Sequence, residues 1–310
     1  MRLAHFTDIH ITAHPFRISW KDLFSKRFLG WVNLTLGRSS AFSDAGKVVD
    51  ALVKDLQALK PDHIVSTGDL TGLSLPSEFE AAGKALSPLF ESGTMTFIPG
   101  NHDVYVPSAV KRKLYEGAFG KWTRTALAAE DFPEELRASY PYPLVELLGE
   151  DVALLSLLDV RPNALHDSSG LVGEHQVRML DRLLEDSRIA RRTKILALHS
   201  GVCLSDRRPD KRFHGLRDAR SVLDVARKGK ISLIIHGHIH RRFVIPADTE
   251  YPFAIANPGS LTSRRHDRTY HLFDVSGGRV TLSARRYDDE QKAFAPWPDA
   301  PGTGVIAGNA

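Results

Sequence analysis

The sequence predicts an α/β fold, because short apolar segments of the buried-strand type alternate with amphipathic helices along most of its 310 residues. The first strand–helix–strand step lies within residues 2–67, and similar steps follow it. Polar residues that can bind metals come directly after several of the apolar segments. Open α/β sheets bind their ligands at the carboxyl ends of their strands, so this pattern predicts a site at that edge.

The composition is that of an ordinary globular protein, with 42% hydrophobic and 25% charged residues. A formal net charge of +4 favours anionic partners without indicating nucleic acid. Cys203 is the only cysteine, so no intrachain disulfide can form, and a reducing compartment is expected. No signal peptide is visible, and no apolar run approaches the ~20 residues of a membrane-spanning helix. These features predict a cytoplasmic protein.

The first strand, predicted over residues 2–7, leads directly into Asp8-Ile9-His10. Alternate residues of an extended segment point the same way, so Asp8 and His10 share a face. A carboxylate and an imidazole held side by side form a bidentate platform for a metal. A polar strand end without function would look the same.

Residues 13–43 look like an insertion that carries an amphipathic helix. Its apolar residues recur at helical spacing: Trp20, Leu23, Phe24, Phe28, Trp31 and Leu34. One interpretation is a helix packed on the rest of the fold. The other is a cap beside the strand-end site, since the segment follows His10 closely, and its basic residues could touch an anionic membrane surface over residues 16–38.

A second amphipathic helix, over residues 44–59, precedes a buried-type strand over residues 63–67. That strand ends in Gly-Asp, which places Asp69 at its carboxyl end. The next helix is expected to begin with a capping box made by Ser77 and Glu80.

The strand over residues 95–99 ends in Gly100-Asn101-His102-Asp103. The amide oxygen of Asn101 can bind a metal, and the imidazole of His102 can bind a metal or move a proton. In isolation the tetrapeptide could equally be a turn, because Gly, Asn and Asp are ordinary turn residues.

Later strand ends carry histidines. A strand over residues 194–198 delivers His199, and one over residues 231–235 leads into a segment that contains His238 and His240. Imidazoles at strand ends extend the set of metal-type residues to the second half of the chain.

A hairpin is predicted over residues 269–286. After Tyr287 the chain is rich in Pro and Gly, which indicates a tail. We therefore expect one domain over residues 1–287, with its helical insertion at 13–43, followed by a C-terminal tail over residues 288–310.

Five strand ends in all carry metal-type residues: Asp8 and His10, Asp69, Asn101 and His102, His199, and His238 and His240. This set resembles the calcineurin-like metallophosphoesterase superfamily, whose pattern DxH, GD, GNH[DE], H, GHxH is present here in full and in order. The match spans residues 1 to about 285. In the size of the chain and in the Gly-Asn-His-Asp motif, the sequence most resembles bacterial class III cyclic-nucleotide and glycerophosphodiester phosphodiesterases.

The resemblance implies a four-layer αββα sandwich with two divalent metal ions at the strand ends. It implies two ligand sets that share one bridging carboxylate: Asp8, His10, Asp69 and His240 for one metal, and Asp69, Asn101, His199 and His238 for the other. Oxygen and nitrogen donors without thiolate suit Mn, Fe or Zn.

The same resemblance implies a hydrolase in which a metal-bridging hydroxide attacks phosphorus in line with the leaving oxygen. His102 would lie beside the leaving group, as a proton donor or a stabiliser of charge. Asp103 could orient it. Thr71-Gly72 stands where phosphoprotein phosphatases have a second aspartate, which disfavours that branch. His199-Ser200-Gly201 replaces the His pair and Pro of many small phosphodiesterases, which leaves the loop shape open.

The remaining histidines are expected to be surface or satisfied core residues: His5, His63, His166, His175, His214, His266 and His271. His236 is a candidate for a place behind the ligands. Arg241 and Arg264 follow site-forming stretches and could hold substrate phosphate, although a solvated role is equally open. The basic stretch over residues 205–228 is expected to be a solvated face, without a nucleic-acid motif.

Four functions remain open at this level. The first is a phosphodiesterase that acts on an anionic phosphodiester small molecule. The second is a hydrolase of lipid-linked diphosphates such as UDP-diacylglucosamine, which the aromatic insertion and basic surface favour. The third is a nuclease, which is disfavoured because no capping domain or stacking patch is evident. The fourth is a metal-dependent scaffold without catalysis, against which His102 and the complete ligand set argue.

Overall fold

Two β-sheets face each other and carry helices on their outer sides in the computed structural model of the chain, which describes residues 1–12, 27 and 42–308. One apolar cluster fills the space between the sheets, and one lies between each sheet and its helices. These four layers confirm the predicted αββα sandwich.

Within the described residues, the first sheet has seven strands: β1 (Arg2–Phe6), β2 (His63–Ser66), β3 (Met95–Phe97), β10 (Thr269–Ser276), β11 (Arg279–Asp288), β12 (Ala293–Pro296) and β13 (Gly304–Ala307). Their order is β12-β11-β10-β1-β2-β3, and β13 also pairs with β11. The strands β1, β2 and β3 are parallel, whereas β10 runs antiparallel to β1. The carboxyl ends of β1, β2 and β3 therefore meet at one edge.

The second sheet has six strands in the described part of the chain: β4 (Leu144–Leu148), β5 (Val152–Ser156), β6 (Thr193–Ala197), β7 (Leu233–Ile235), β8 (Phe243–Ile245) and β9 (Ala254–Asn257). Their order is β4-β5-β6-β7-β9-β8. The central strands β5, β6, β7 and β9 are parallel, and the edge strands β4 and β8 are antiparallel to their neighbours.

The described α-helices are α1 (Ala45–Leu59), α2 (Pro76–Leu86), α3 (Pro107–Lys111), α4 (Leu114–Phe119), α5 (Glu174–Leu183), α6 (Ser187–Ala190) and α7 (Ala219–Lys228). Short 3-10 helices lie at Ser87–Ser92, Gly120–Trp122, Ala129–Asp131 and Glu134–Ser139. The helices α1, α2 and α4 cover the first sheet, and α5 and α7 cover the second. Among these helices none is both long and apolar enough to cross a membrane.

The central strands are apolar on both faces because each face is covered. In β5, Val152 and Leu154 point between the sheets, while Ala153 and Leu155 pack under the helices. This double burial explains why the strands read as continuous apolar runs.

The helix α2 begins one residue before the predicted capping box. Pro76 occupies its first turn, where a missing N–H has no cost. The buried Glu78 provides the cap instead, since its Oε2 accepts hydrogen bonds from the backbone N–H groups of Leu73 (2.8 Å) and Leu75 (3.0 Å). The prediction of Ser77 and Glu80 as the capping pair is therefore wrong.

The tail predicted over residues 288–310 is also wrong for most of its described length. The strands β12 and β13 both pair with β11. Phe294 and Ile306 are buried, so each strand contributes to the core. The Pro- and Gly-rich composition belongs mainly to the connection between the two strands, where turns require it.

The predicted insertion at residues 13–43, including its helix and the surface over residues 16–38, lies outside the described residues except at Arg27, Phe42 and Ser43. Arg27 is buried, and its guanidinium donates to the carbonyl oxygens of Leu73 (3.0 Å) and Ser74 (2.6 Å).

Candidate metal centre

The two sheets bring their strand ends together at one edge of the sandwich. The segment after β1 pairs with the segment after β2, since the backbone N–H groups of Asp8 and His10 donate to the carbonyls of Gly68 and Asp69, both at 3.0 Å. The ends of β6 and β7 face them from the second sheet. This edge collects all seven predicted ligands: Asp8, His10, Asp69, Asn101, His199, His238 and His240.

Sharp backbone turns aim these side chains. Five of the ligands have left-handed backbone conformations: Asp8 (φ 55°), His10 (φ 41°), Asp69 (φ 55°), His238 (φ 68°) and His240 (φ 61°). Such a conformation costs a non-glycine residue ~1–2 kcal/mol, so the surrounding contacts must hold it. The neighbouring glycines allow the close approach, because a Cβ on Gly68 would collide with the backbone of Gly100, and one on Gly237 with Thr7.

The first donor group contains Asp8, His10, Asp69 and His240. The Nε2 atom of His10 lies 3.0 Å from Nε2 of His240 and 3.7 Å from Oδ2 of Asp69. Oδ1 of Asp8 lies 3.2 Å from Nε2 of His240. Nitrogen lone pairs and carboxylate oxygens that converge in this way form a cation site.

The second donor group contains Asp69, His199 and His238, with Asn101 between them. Oδ1 of Asn101 lies 3.0 Å from Nε2 of His199 and 2.9 Å from Nδ1 of His238. Oδ1 of Asp69 lies 3.5 Å from Nε2 of His199. Asp69 thus turns one oxygen to each group, an arrangement in which one carboxylate could serve both.

Backbone carbonyls fix which ring nitrogen each of two histidines presents. Nδ1 of His199 donates to the carbonyl of Thr67 (2.7 Å), and Nε2 of His238 donates to the carbonyl of His214 (3.0 Å). The other nitrogen of each ring therefore faces Asn101. Burial, with the nearby imidazoles of His199 and His214, lowers the pKa of His238 well below its usual value, so this ring is neutral as a ligand must be.

The two carboxylates have opposite pKa shifts. Burial opposes the charge of Asp8, but the imidazoles of His240, His199 and His10 lower its pKa. Burial, and then the charges of Asp8 and Asp103, raise the pKa of Asp69 well above its usual range, although His199 acts in the other direction. An ionised Asp69 therefore needs additional positive charge beside it. The donor set fits two divalent metal ions, which would supply that charge.

His102 lies beside the donor groups without joining them. Its Nδ1 donates to the carbonyl of Gly72 (2.6 Å), and its ring stacks on Tyr105 with centroids 5.1 Å apart. Its backbone N–H donates to Oδ1 of Asp69 (2.7 Å), so the residue also helps to hold the bridging carboxylate. Since Nδ1 is used by Gly72, Nε2 is the nitrogen that could serve a substrate.

Asp103 does not orient the imidazole of His102, contrary to expectation. Its buried carboxylate accepts hydrogen bonds from the backbone of Gly100 (2.9 Å), Leu70 (3.0 Å) and Thr71 (2.9 Å), and from the Thr71 hydroxyl (3.1 Å). These bonds tie the loop after β2 to the loop after β3. Asp103 therefore positions the segments that carry the ligands, and Gly72 orients the ring.

Asp159 was not predicted from the sequence. In the second sheet it holds the backbone beside a predicted ligand, as Asp103 does in the first. Its buried carboxylate accepts hydrogen bonds from the backbone of His199 (2.9 Å) and Ser200 (2.8 Å). The signal was present, because Asp159 directly follows the apolar run at residues 152–158, as Asp8 and Asp69 follow theirs.

His214 is the second missed residue, since we expected a surface or satisfied core residue without a place at the site. Its ring lies 4.2 Å from that of His238 (centroid distance), and its Nδ1 lies 2.5 Å from Oδ2 of Asp210. Residues 210–214 form a turn and no helix, so no spacing in the sequence indicated this position.

The buried core histidines differ in how many of their ring nitrogens are hydrogen-bonded. His63 bonds to the Thr96 hydroxyl (2.8 Å), as expected for a satisfied core residue. His5 bonds to the Thr67 hydroxyl (2.9 Å) through Nε2, but its Nδ1 has no hydrogen-bond partner among the described residues. His271 is buried, but neither of its ring nitrogens has a hydrogen-bond partner among the described residues.

A cavity of about 400 Å³ opens over the donor groups. It is lined by Asp69, Asn101, His102, Tyr105, Leu165, His166, Asp167, Ser168, His214, His238, Ile239, His240 and His266. Arg241 and Arg264, the predicted substrate-binding residues, lie outside it. They line an adjacent shallow cavity of about 500 Å³ that shares His266 with the first.

Comparison with known proteins identifies the family of the chain and proteins of similar fold. The model of the calcineurin-like phosphoesterase family matches residues 1–242. A dimetal phosphatase from Danio rerio is similar in structure, with a TM-score of 0.62, 13% identity, and coverage of 95% of this chain and 98% of that one. The sulfate thiohydrolase SoxB of Thermus thermophilus superposes with a TM-score of 0.49 and 15% identity over 95% of this chain and 58% of that one. Among curated proteins, no sequence matches significantly.

Proposed function

The chain belongs to the calcineurin-like phosphoesterase family, and from that premise we propose that it hydrolyses phosphodiesters at a centre of two divalent metal ions. The proposed ligands are the seven residues that converge at the sandwich edge. Mn, Fe and Zn suit their mixed oxygen and nitrogen donors.

The charge of the cavity lining supports a diester over a monoester. The described residues that line the cavity include no Lys or Arg. Proteins usually surround a dianionic phosphate with such side chains, because they supply charge and several N–H donors. A phosphodiester carries a single negative charge and needs less compensation. Its second substituent also needs room, which a cavity of about 400 Å³ provides.

Bound divalent cations would lower the pKa of a water molecule and draw charge from the phosphoryl oxygens. Asp69 holds its position for this task through the backbone N–H of His102. Nδ1 of His102 bonds to Gly72, so Nε2 is the ring nitrogen that, we propose, donates a proton to the leaving oxygen. Asp103 and Asp159 keep the ligand-bearing loops in register through their backbone hydrogen bonds.

A second candidate function is hydrolysis of lipid-linked diphosphates. The shallow cavity beside the metal pocket is lined by Arg241, Arg242, Arg264 and Arg265 with His266 and Asp267. A substrate with a second anionic group could place that group there while its scissile phosphate lies at the donor groups. This arrangement supports Arg241 and Arg264 as substrate-binding residues.

A substrate panel tests the proposal. Purified protein is stripped of metal, reloaded separately with Mn, Fe or Zn, and assayed with bis-p-nitrophenyl phosphate, p-nitrophenyl phosphate, cyclic AMP, glycerophosphodiesters and a UDP-linked lipid. We expect faster hydrolysis of the diesters than of the monoester, and none by the metal-free protein. Faster hydrolysis of the monoester would overturn the proposal. Preference for the UDP-linked lipid over every small diester would select the second function.

A further inference from the structure

Two loops at the mouth of the metal pocket expose large apolar side chains to solvent. Leu165 is 52% exposed and Phe213 is 46% exposed, and both belong to the small set of large apolar residues exposed in the described chain. His166 joins them, since its ring contacts that of Phe213 edge-on with centroids 5.3 Å apart. Apolar side chains grouped at the mouth of a site indicate a binding surface more than scattered ones do.

Hydrogen bonds join the two loops that carry these side chains. The backbone N–H of Ser168 donates to the carbonyl of Phe213 (2.9 Å). The guanidinium of Arg217 pairs with the buried Asp167, and its Nε donates to the Ser169 hydroxyl (2.8 Å). These contacts fix the two loops relative to each other, so the exposure of Leu165 and Phe213 belongs to an ordered part of the structure.

The basic residues between positions 207 and 217 divide into two classes. Three are neutralised: Arg207 by Asp248 and Glu250, Arg208 by Asp206, and Arg217 by Asp167. Lys211 and Arg212, which precede Phe213, form no ion pair with any residue that the structure describes, and both are exposed. The guanidinium of Arg212 lies 5.4 Å from the ring centroid of Phe213. The uncompensated charges thus lie beside Phe213.

We propose that this rim surface, made of Leu165, His166, Lys211, Arg212 and Phe213, docks the protein on an anionic lipid surface. Apolar side chains surrounded by basic ones fit the boundary between acyl chains and anionic headgroups. An exposed leucine beside a single phenylalanine suits that boundary better than it suits the stacked bases of a nucleic acid. Docking would place the metal pocket at headgroup level. That a lipid phosphodiester is then the substrate rests on the proposed function, whereas the docking itself does not.

Co-sedimentation with vesicles tests the surface. Wild-type protein should bind vesicles of equal parts phosphatidylcholine and phosphatidylglycerol, and bind phosphatidylcholine vesicles weakly. Leu165→Ser with Phe213→Ser should weaken binding to the anionic vesicles roughly tenfold or more, because the apolar contact is lost. Lys211→Ser with Arg212→Ser should weaken it roughly tenfold and reduce its dependence on salt.

Matched controls remove exposed apolar or basic side chains elsewhere on the surface. Val110→Ser with Val305→Ser changes two other exposed apolar residues, and Lys54→Ser with Lys84→Ser removes the same charge from α1 and α2. Both controls should bind as the wild type does. Circular dichroism and thermal unfolding establish that each variant is folded. Equal binding by rim and control variants, or no binding of the wild type to anionic vesicles, would overturn the proposal.

Two further measurements separate the alternatives. Binding of a single-stranded oligonucleotide that depends on the rim, without vesicle binding, would assign the surface to nucleic acid and refute the lipid proposal. Hydrolysis of bis-p-nitrophenyl phosphate by the wild type without lipid tests the metal centre alone. Vesicle binding without that hydrolysis would refute the proposed function and support the docking surface; hydrolysis without vesicle binding would refute only the docking surface.

Discussion

The half of the metal centre that the first sheet supplies differs from the half that the second sheet supplies. The strands β1, β2 and β3 carry both carboxylates, the amide and one imidazole: Asp8, Asp69, Asn101 and His10. The strands β6 and β7 carry only imidazoles: His199, His238 and His240. The first half therefore brings the negative charge and the bridge, and the second brings neutral donors whose value depends on orientation.

The groups that hold the ligands in place also differ between the two halves. Asp103 accepts three backbone N–H groups and a hydroxyl in the first half. Asp159 accepts two backbone N–H groups in the second half, where carbonyls also orient the rings of His199 and His238. Changes in the first half should therefore alter the charge balance of the centre and the number of metal ions bound. Changes in the second half should alter the orientation of the imidazole ligands.

The largest effect is expected from Asp69→Asn, because this carboxylate belongs to both donor groups. We expect reduced occupancy of both metal positions, and a loss of turnover beyond the ~10–100-fold that is typical of altering a group behind a ligand. Asp8→Asn is the matched control, since Asp8 belongs to one group and should weaken one metal. Elemental analysis of the purified variants decides this, and two tightly held metal equivalents in Asp69→Asn would disprove bridging.

His102→Ala should separate catalysis from metal binding. Metal content should stay near that of the wild type, while turnover of esters with poor leaving groups falls ~10²–10⁴-fold because proton donation is lost. The loss should be smaller for p-nitrophenyl esters, whose leaving group needs little protonation. Steady-state kinetics with both ester types provides the measurement. An equal loss for both would assign His102 to positioning.

Asp103→Asn and Asp159→Asn compare the two supports directly. Each change puts an amide where a carboxylate accepts several N–H groups, and lost charge-assisted bonds cost ~1.5–3 kcal/mol each. We expect Asp103→Asn to lower the free energy of unfolding more, because it disturbs more bonds. Urea unfolding at a fixed metal concentration measures both. A larger loss for Asp159→Asn would contradict the comparison.

Glu78 adds a pH dependence to the first half, where it caps α2 beside the loop that holds His102. Burial raises the pKa of Glu78 from 4.5 to about 7. A raised pKa in the folded state favours the neutral form, so its stabilisation is complete below pH 4.5 and is lost as the pH rises through about 7. Relative to Glu78→Gln, the wild type should lose about 3 kcal/mol over that interval. Urea unfolding at several pH values tests this, and parallel curves would contradict it.

The smallest effect is expected from Arg241→Ala, outside both halves. If this exposed side chain attracts an anionic group, KM should rise ~2–5-fold at low salt with little change in kcat, because an exposed charge contributes at most ~1 kcal/mol. Added salt should remove the difference. Arg220→Ala, on the exposed face of α7, serves as the control. A KM equal to that of the control variant would leave Arg241 without a role.

Local patterns carry the features that the sequence alone determined. Apolar runs predicted the central strands, because both faces of each strand are covered. Polar residues after those runs predicted the ligands, because the ends of parallel strands meet at one edge. The α/β class and the metal-type residues at the strand ends follow from information within a few residues of each strand, whereas their division into two ligand sets came from the family resemblance.

The tertiary structure alone decided which groups support the ligands. His199 is oriented by Thr67, which is 132 positions away, and His102 is oriented by Gly72 rather than by the adjacent Asp103. Strands β12 and β13 join the sheet because β11 offers them partners, although their composition predicts a tail. Hydrogen bonds to backbone carbonyls and strand pairing depend on where the chain returns in space, and any residue type provides those backbone groups. Local sequence therefore specifies the donors, and chain packing specifies their orientation.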